Sequence, residues 1–268
     1  MHTSFSDGRL TPEELIAEAK KAGLHYIALT DHDTVDGISH LYESGLFPTK
    51  GIHIIPGIEF SAHHPLHEVH ILGYGIDIFC TSLLDKLNEV TDARWSRFSE
   101  IVEKLNGLGY AITEADVLAI AGVSKSISRS HIGRVLVKKG YFDSVRSAFE
   151  ELLSEGQPAY VPHYRLEVEE VLSLILAAEG RAVLAHPKLV YDEELVERIC
   201  QMGIDGIEVF YPQHDEDDTA HYLELAKKYG LLPAGGSDFH GFSTRYPTEI
   251  GVFTIPDEYA VPFYRAEN

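Results

Sequence analysis

Thr30-Asp31-His32-Asp33, Ala185-His186-Pro187 and Ser237-Asp238-Phe239-His240 set histidine beside or close to proline or carboxylate three times in one chain. Each string follows a short apolar run: Tyr26-Ile27-Ala28-Leu29, Ala182-Val183-Leu184 and Leu231-Leu232-Pro233-Ala234. Such runs read as buried parallel strands. The C-terminal ends of parallel strands share one face of a sheet, and the loops leaving them converge. Imidazole and carboxylate meeting there suit a borderline divalent metal such as manganese, iron(II) or zinc. The chemistry implied is metal-assisted hydrolysis. No Gly-x-Ser-x-Gly elbow offers a serine nucleophile, and no Gly-x-Gly-x-x-Gly or P-loop is present.

The elements that must position these residues alternate. Thr11-Pro12-Glu13-Glu14 is a capping box with proline at the first helical position, and it predicts a helix to about Ala22, ended by Gly23. Strands follow at 26–29, from Ile52 to near Glu59, and over the alternating segment Glu68 to Tyr74. The character changes near Asp77. From Ser82 to about Phe149 only helical periods occur: a helix near 82–106, a capped start at Thr113, and helices near 130–139 and 144–153. Gly156-Gln157-Pro158 marks the exit. Alternation then resumes with helices at 167–179, 193–202 and 216–229 and strands at 182–185, 206–210 and 231–234. The expected organisation is a first α/β part over 1–80, a helical insertion over 81–158 and a second α/β part over 159–268.

The chain has 268 residues, enough for one large α/β domain with an insertion. Lys+Arg is 22 against 42 Asp+Glu, a formal charge of −20. That balance argues against long DNA, whose binding depends on many Lys and Arg contacts to phosphate. It leaves room for a small phosphorylated substrate, because a bound metal cluster inverts the local potential. Cys80 and Cys200 form no disulfide framework and no C-x-x-C. No apolar stretch is long enough to span a membrane, and the first residues lack a signal-peptide core. The expectation is a cytoplasmic protein with no membrane partner.

The order of motifs carries a resemblance. Ser6-Asp7-Gly8, Thr30-Asp31-His32-Asp33, Gly57-Ile58-Glu59-Phe60-Ser61, Val69-His70-Ile71-Leu72-Gly73, Ala185-His186-Pro187 and Ser237-Asp238-Phe239-His240 resemble the PHP (polymerase and histidinol phosphatase) superfamily. The helical block after His70 resembles the members acting on 3',5'-nucleoside bisphosphates and on 5' ends of short RNAs. The resemblance implies a distorted (β/α)7 barrel with a helical insertion, and a cluster of two or three divalent ions, often manganese. It also implies the ligands: His2, Asp7, His32, Glu59, His70, His186, Asp238 and His240. Asp7, His32 and Glu59 would be the catalytic core, and Glu59 would bridge two ions, since a carboxylate has two oxygens with free lone pairs. The family opens with His-x-His. Here His2 matches the second histidine and Met1 the intervening residue, so the expectation is a shortened first strand and one missing ligand.

Single residues carry less. His25, His40, His53, His163 and His221 read as structural or solvated, and His63, His64 and His67 as parts of a polar loop. Arg94 and Arg97 lie three apart, on one face of a helix. Any one such arginine is more often solvated than functional. The functional alternative is a phosphate clamp, because guanidinium binds phosphate bidentately. By resemblance, Arg94, Arg129 and His131 fall on the substrate side, with Arg97 and Arg134 beside them. His214 follows a strand end and could touch substrate or leaving group. The Gly235-Gly236 pair reads as room for close backbone packing beneath the cluster.

Together these features predict a metal-dependent phosphoesterase acting on a small nucleotide, with a 3',5'-nucleoside bisphosphate first. Removal of nucleotides from the 5' end of short RNA, a histidinol-phosphate-type monoesterase and a non-catalytic metal-binding module are the rivals.

Overall fold

The computed structural model describes residues 1–64, 67–162, 164, 166–242 and 247–265. The capping box at Thr11 forms: its side chain accepts from Glu14 N–H, and Glu14 answers to the Thr11 N–H. Helix α1 (Pro12–Lys21) therefore starts where the sequence predicts, with acids in its first turn and Lys20 and Lys21 in its last, as the helix dipole favours. It buries Leu15, Ile16 and Ala19 and leads into strand β1 (Tyr26–Leu29).

Helix α2 (Asp36–Glu43), strand β2 (His53–His64) and strand β3 (His67–Tyr74) follow. Chain then folds as α3 (Thr81–Gly107), α4 (Glu114–Ala121), α5 (Arg129–Lys138) and α6 (Val145–Ala148), the last running on as a π-helical turn, Phe149–Leu153. Strand β4 (Leu166–Glu167) and helix α7 (Val168–Ala177) return the chain to the sheet, and β5 (Arg181–Leu184), α8 (Glu193–Gln201), β6 (Gly206–Phe210), α9 (Glu216–Tyr229) and β7 (Leu232–Gly235) complete it. Among the described residues no helix is long and apolar enough to cross a membrane.

One curled sheet runs β1-β2-β3-β5-β6-β7, with β4 paired to β2. It is mixed. β1 is parallel to β2, and β5, β6 and β7 are parallel to one another, but β3 is antiparallel to both β2 and β5. Two readings change here. His63 and His64 end β2 and His67 opens β3, so these positions belong to strands and not to a loop. The two-residue β4 was not foreseen, because two residues carry no periodicity.

The sheet's outer strands are bridged by the start of the chain. Thr30 N–H donates to Met1 O (3.0 Å) and His2 N–H to Phe239 O (2.9 Å). The Met1 ammonium donates to Ala28 O (3.1 Å) and Thr30 Oγ1 (2.9 Å). The first two residues thus link the two outer strands of the curled sheet.

The main apolar core lies between this sheet and its flanking helices. The helices α3 to α6 enclose a second one, built on Phe98, Ile101, Leu105, Ile132, Leu136 and Leu153. The two are stitched together beside the strand ends. Arg94 of α3 pairs with Asp33, and Ser126 Oγ, in the α4–α5 turn, donates to His32 O (2.7 Å).

Candidate metal centre

The residues that follow β1 and β7, the first turn of the chain, and inward positions on β2 and β3 meet at one end of the sheet. Asp31 builds the first part. Its carboxylate accepts from Thr3 N–H (2.7 Å), Thr3 Oγ1 (2.7 Å) and Ser6 Oγ (2.5 Å), which fixes the loop carrying His2 and Asp7. Gly37 is required behind it, because a Cβ there would stand 2.5 Å from Asp31 Oδ2.

Glu59 is the hub. Its oxygens lie 2.6 Å from His70 Nδ1, 2.9 Å from His2 Nε2, 3.2 Å from His186 Nε2 and 4.0 Å from His32 Nδ1. His2 Nε2 is also 3.2 Å from Asp238 Oδ1, and His240 Nε2 is 3.2 Å from Asp7 Oδ1. The His2 and His240 rings stack at 3.9 Å. All eight ligand positions expected by resemblance therefore come together, although they are spread from residue 2 to residue 240.

Three donor groups result: His2, Asp7, His32 and His240; His32, Glu59 and His70; His2, Glu59 and Asp238. Within each group the ligand atoms lie within 4.8 Å of one another, a spread that donors around one ion at about 2.0–2.3 Å produce. Local chemistry also fits a cation. His240 Nδ1 faces the Asp238 carbonyl oxygen at 2.8 Å, so it must be the protonated nitrogen. In neutral His240 the Nε2 lone pair then points at a carboxylate oxygen, an arrangement that a cation makes favourable. His2 Nδ1, His32 Nδ1 and Asp7 Oδ1 are buried and make no hydrogen bond among the described residues.

The electrostatics agree. Burial opposes charge on Glu59, yet His32 and His70 hold its carboxyl well below the usual range. Burial likewise opposes charge on Asp7, and the neighbouring His240 overrides it. Burial works against a proton on His2 too, but Asp238 and Glu59 raise it to about 9. Burial takes His32 down to about 3 against the pull of Glu59. Two buried carboxylates, Glu59 and Asp7, thus call for positive charge, which divalent ions supply.

The expected substrate-side residues separate into two sets. Arg94 and Arg97 are turned inward, 4% and 8% exposed. The Arg94 guanidinium pairs with Asp33 and donates to Ser61 Oγ (3.3 Å), while Arg97 Nε donates to Val161 O (2.9 Å). Neither lies on a solvated face. Arg129 is half-buried, with its guanidinium 5.4 Å from the Phe149 ring and 5.9 Å from Tyr160, and it donates to Leu153 O. Those contacts are cation–π packing inside the helical segment. His131 and Arg134 lie one turn apart on α5, and the Asp7 charge acts on both. Arg134 also lies 4.6 Å over the Phe242 ring. His214 Nδ1 donates to Val209 O (2.8 Å), and its ring packs against Tyr211 and Tyr222. It is thereby one side chain removed from the cluster.

Two residues at the site were not foreseen. Glu208, on β6, accepts the His186 backbone N–H (2.7 Å), and Tyr211 donates its hydroxyl to Asp238 Oδ2 (3.1 Å). Burial pushes the Glu208 carboxyl well up; the His186 N–H opposes that rise, and Asp238 and Glu59 add to it. A glutamate inside Gly206-Ile207-Glu208-Val209-Phe210 was the available signal.

His131 gives a pH test. Its Nδ1 accepts the Ser128 N–H (3.0 Å), and burial, followed by the Arg134 charge, lowers it to about 4. The folded imidazole takes a proton only near that value, whereas an unfolded one does so near its ordinary 6.5. Its contribution to stability is therefore complete above pH 6.5 and is lost as pH falls through about 4. The loss amounts to about 3 kcal/mol at about 1.4 kcal/mol per pH unit. Denaturant unfolding of wild type and His131→Gln from pH 7.5 to 4 should show the wild type losing stability faster. Parallel curves would rule out a neutral buried His131.

Comparison with known proteins places this geometry. The PHP domain model matches residues 1–161. The chain is 34% identical to a 3',5'-nucleoside bisphosphate phosphatase of Chromobacterium violaceum, over 89% of this chain and 85% of that one. It is 32% identical to the 5'-3' exoribonuclease Rnm of Escherichia coli, over 89% and 83%. It is 29% identical to a phosphoribosyl 1,2-cyclic phosphate 1,2-diphosphodiesterase of Eggerthella lenta, over 96% and 97%. A solved structure from Bifidobacterium adolescentis, named among metal-dependent phosphoesterases, superposes with a TM-score of 0.87 at 29% identity, covering 98% of this chain and 93% of that one. The chain belongs to the PHP domain family and is a phosphoesterase.

Proposed function

We propose that the chain hydrolyses a phosphate ester of a small nucleotide, with a 3',5'-nucleoside bisphosphate as the first candidate. One observation carries the reading: His2, His32 and Glu59 each belong to two of the three donor groups. Ions held by such groups are neighbours, as a phosphoryl group flanked by more than one cation requires. His2, Asp7, His32, Glu59, His70, His186, Asp238 and His240 would hold two or three divalent ions, manganese first, with iron or zinc also suited to this nitrogen and oxygen set. When bound, the ions supply Lewis acidity toward water and toward the phosphoryl oxygens.

The chain's own residues do the rest. Asp7, His32 and Glu59 form the catalytic centre, and Glu59 and Asp31 fix its geometry from β2 and from the end of β1. His131 and Arg134, on which the Asp7 charge acts, receive the substrate's phosphate. Arg129 and His214 stand further out, and Arg94 and Arg97 anchor α3. In this reading residues 1–80 and 159–268 make the α/β body, and 81–158 is an inserted helical unit that carries the substrate-side residues.

A second reading is a cyclic phosphodiester. The inward turn of Arg94 and Arg97 favours it, since it leaves fewer guanidinium groups for a second phosphate. A substrate panel separates the readings: 3',5'-bisphosphate nucleotide, mononucleotide, short 5'-phosphorylated RNA, histidinol phosphate and a ribose cyclic phosphodiester. Bisphosphate should be turned over fastest, and chelator should abolish all release. Full activity after metal is shown to be removed would end the proposal, and preference for the cyclic ester would select the second reading.

A further inference from the structure

We propose that β6 and the residue that follows it, which supply none of the eight candidate ligands, orient two of them, with Glu208 fixing His186 and Tyr211 fixing Asp238. The proposal rests on the metal-centre reading and extends it to residues outside the ligand set.

β6 lies between β5 and β7, the strands that lead into His186 and Asp238. Both ligands have positive φ, 27 for His186 and 48 for Asp238. A backbone in that region needs surroundings that hold it. The holding groups come from the same strand end. Glu208 Oε2 accepts the His186 N–H at 2.7 Å, locking the peptide that starts the turn. Tyr211 OH reaches the other way and donates to Asp238 Oδ2 at 3.1 Å, leaving Oδ1 facing His2 and His240. The Tyr211 ring also lies 5.5 Å from that of His186, so one side chain touches both ligands.

The strand is shaped for this task. Its register with β7 shifts between Glu208 and Phe210, and such irregularities re-aim side chains near active sites. β7 comes in close because residue 235 is glycine: a Cβ there would stand 2.5 Å from Phe210 O. Glu208 and Tyr211 are both buried, so neither is engaged with solvent. Partners of ligands that act in this way fix orientation, and their loss typically weakens metal affinity by about 10–100-fold.

The test is calorimetric titration of metal-free protein with Mn2+, together with bound-metal stoichiometry, melting temperature, kcat and KM. Tyr211→Phe removes one oxygen and keeps the ring. Glu208→Gln keeps an acceptor for the His186 N–H, whereas Glu208→Met removes it. Tyr211→Phe and Glu208→Met should each weaken one binding event at least tenfold and lower kcat, with KM within about twofold of wild type. Glu208→Gln should stay within about threefold. Wild-type protein that binds no Mn2+ would overturn the metal-centre reading itself. Wild-type binding that Tyr211→Phe leaves within threefold, in folded protein, would overturn the orienting role of β6 alone. Should Glu208→Met fail to fold, Tyr211→Phe decides the matter.

Discussion

Glu59→Gln should lower phosphate release by roughly two to four orders of magnitude and strip metal from the protein. Glu59 meets His70, His2 and His186 within 3.2 Å and serves two of the three donor groups. The amide keeps the size of the side chain but removes its charge and turns one acceptor into a donor. Removing one partner from a buried charged cluster typically costs about 3–5 kcal/mol, and each 1.4 kcal/mol is about a factor of ten in rate or affinity. The fold should survive, because the backbone of residue 59 stays tied to Asp31 O and Asp33 N. Metal content, phosphate release and melting temperature, measured on one preparation, make the test. Activity within tenfold of wild type at unchanged metal content would show that Glu59 is not the hub.

Arg94→Ala should lower the melting temperature by roughly 10 °C. The change leaves the Asp33 carboxylate, 1% exposed, without this cation. Asp33 also accepts the Ser61 N–H at 2.8 Å and sits at φ 50, so its position is held by several contacts at once. Removing one partner of a buried ion pair costs about 3–5 kcal/mol, and about 2–4 °C per kcal/mol is usual for domains near this size. Arg94→Met with Asp33→Asn removes both charges and should recover more than half of the loss. A single variant melting within 2 °C of wild type would exclude a structural role for the pair and return Arg94 to the substrate side.

Much of the site was legible because chemistry followed strand ends. The apolar tetrapeptide before His32 and the run before His186 announced both residues, and the structure places both at the cluster. His70 could not be settled by position, since it lies within β3, and the reversal of that strand depends on pairing that periodicity does not reveal. The arginines show a different gap. Spacing put Arg94 and Arg97 on one face, correctly, but that face is the buried one. Leu83, Leu87, Val90, Arg94, Arg97, Phe98 and Ile101 form a single helical stripe, so burial was written in the three- and four-residue spacing. Glu208 and Tyr211 left a fainter trace. A lone acid in an apolar strand signals a buried partner, but only the three-dimensional structure shows that the partner is a peptide N–H.

The sharing of His2, His32 and Glu59 among the three groups has a consequence for how the protein is handled. In the proposed reading, positions that hold residues in common cannot fill independently. An ion in one group changes the affinity of the next, so a partly loaded sample is not described by a single independent-site constant. The metal-to-protein ratio of a preparation is therefore a poor measure of how each molecule in it is composed.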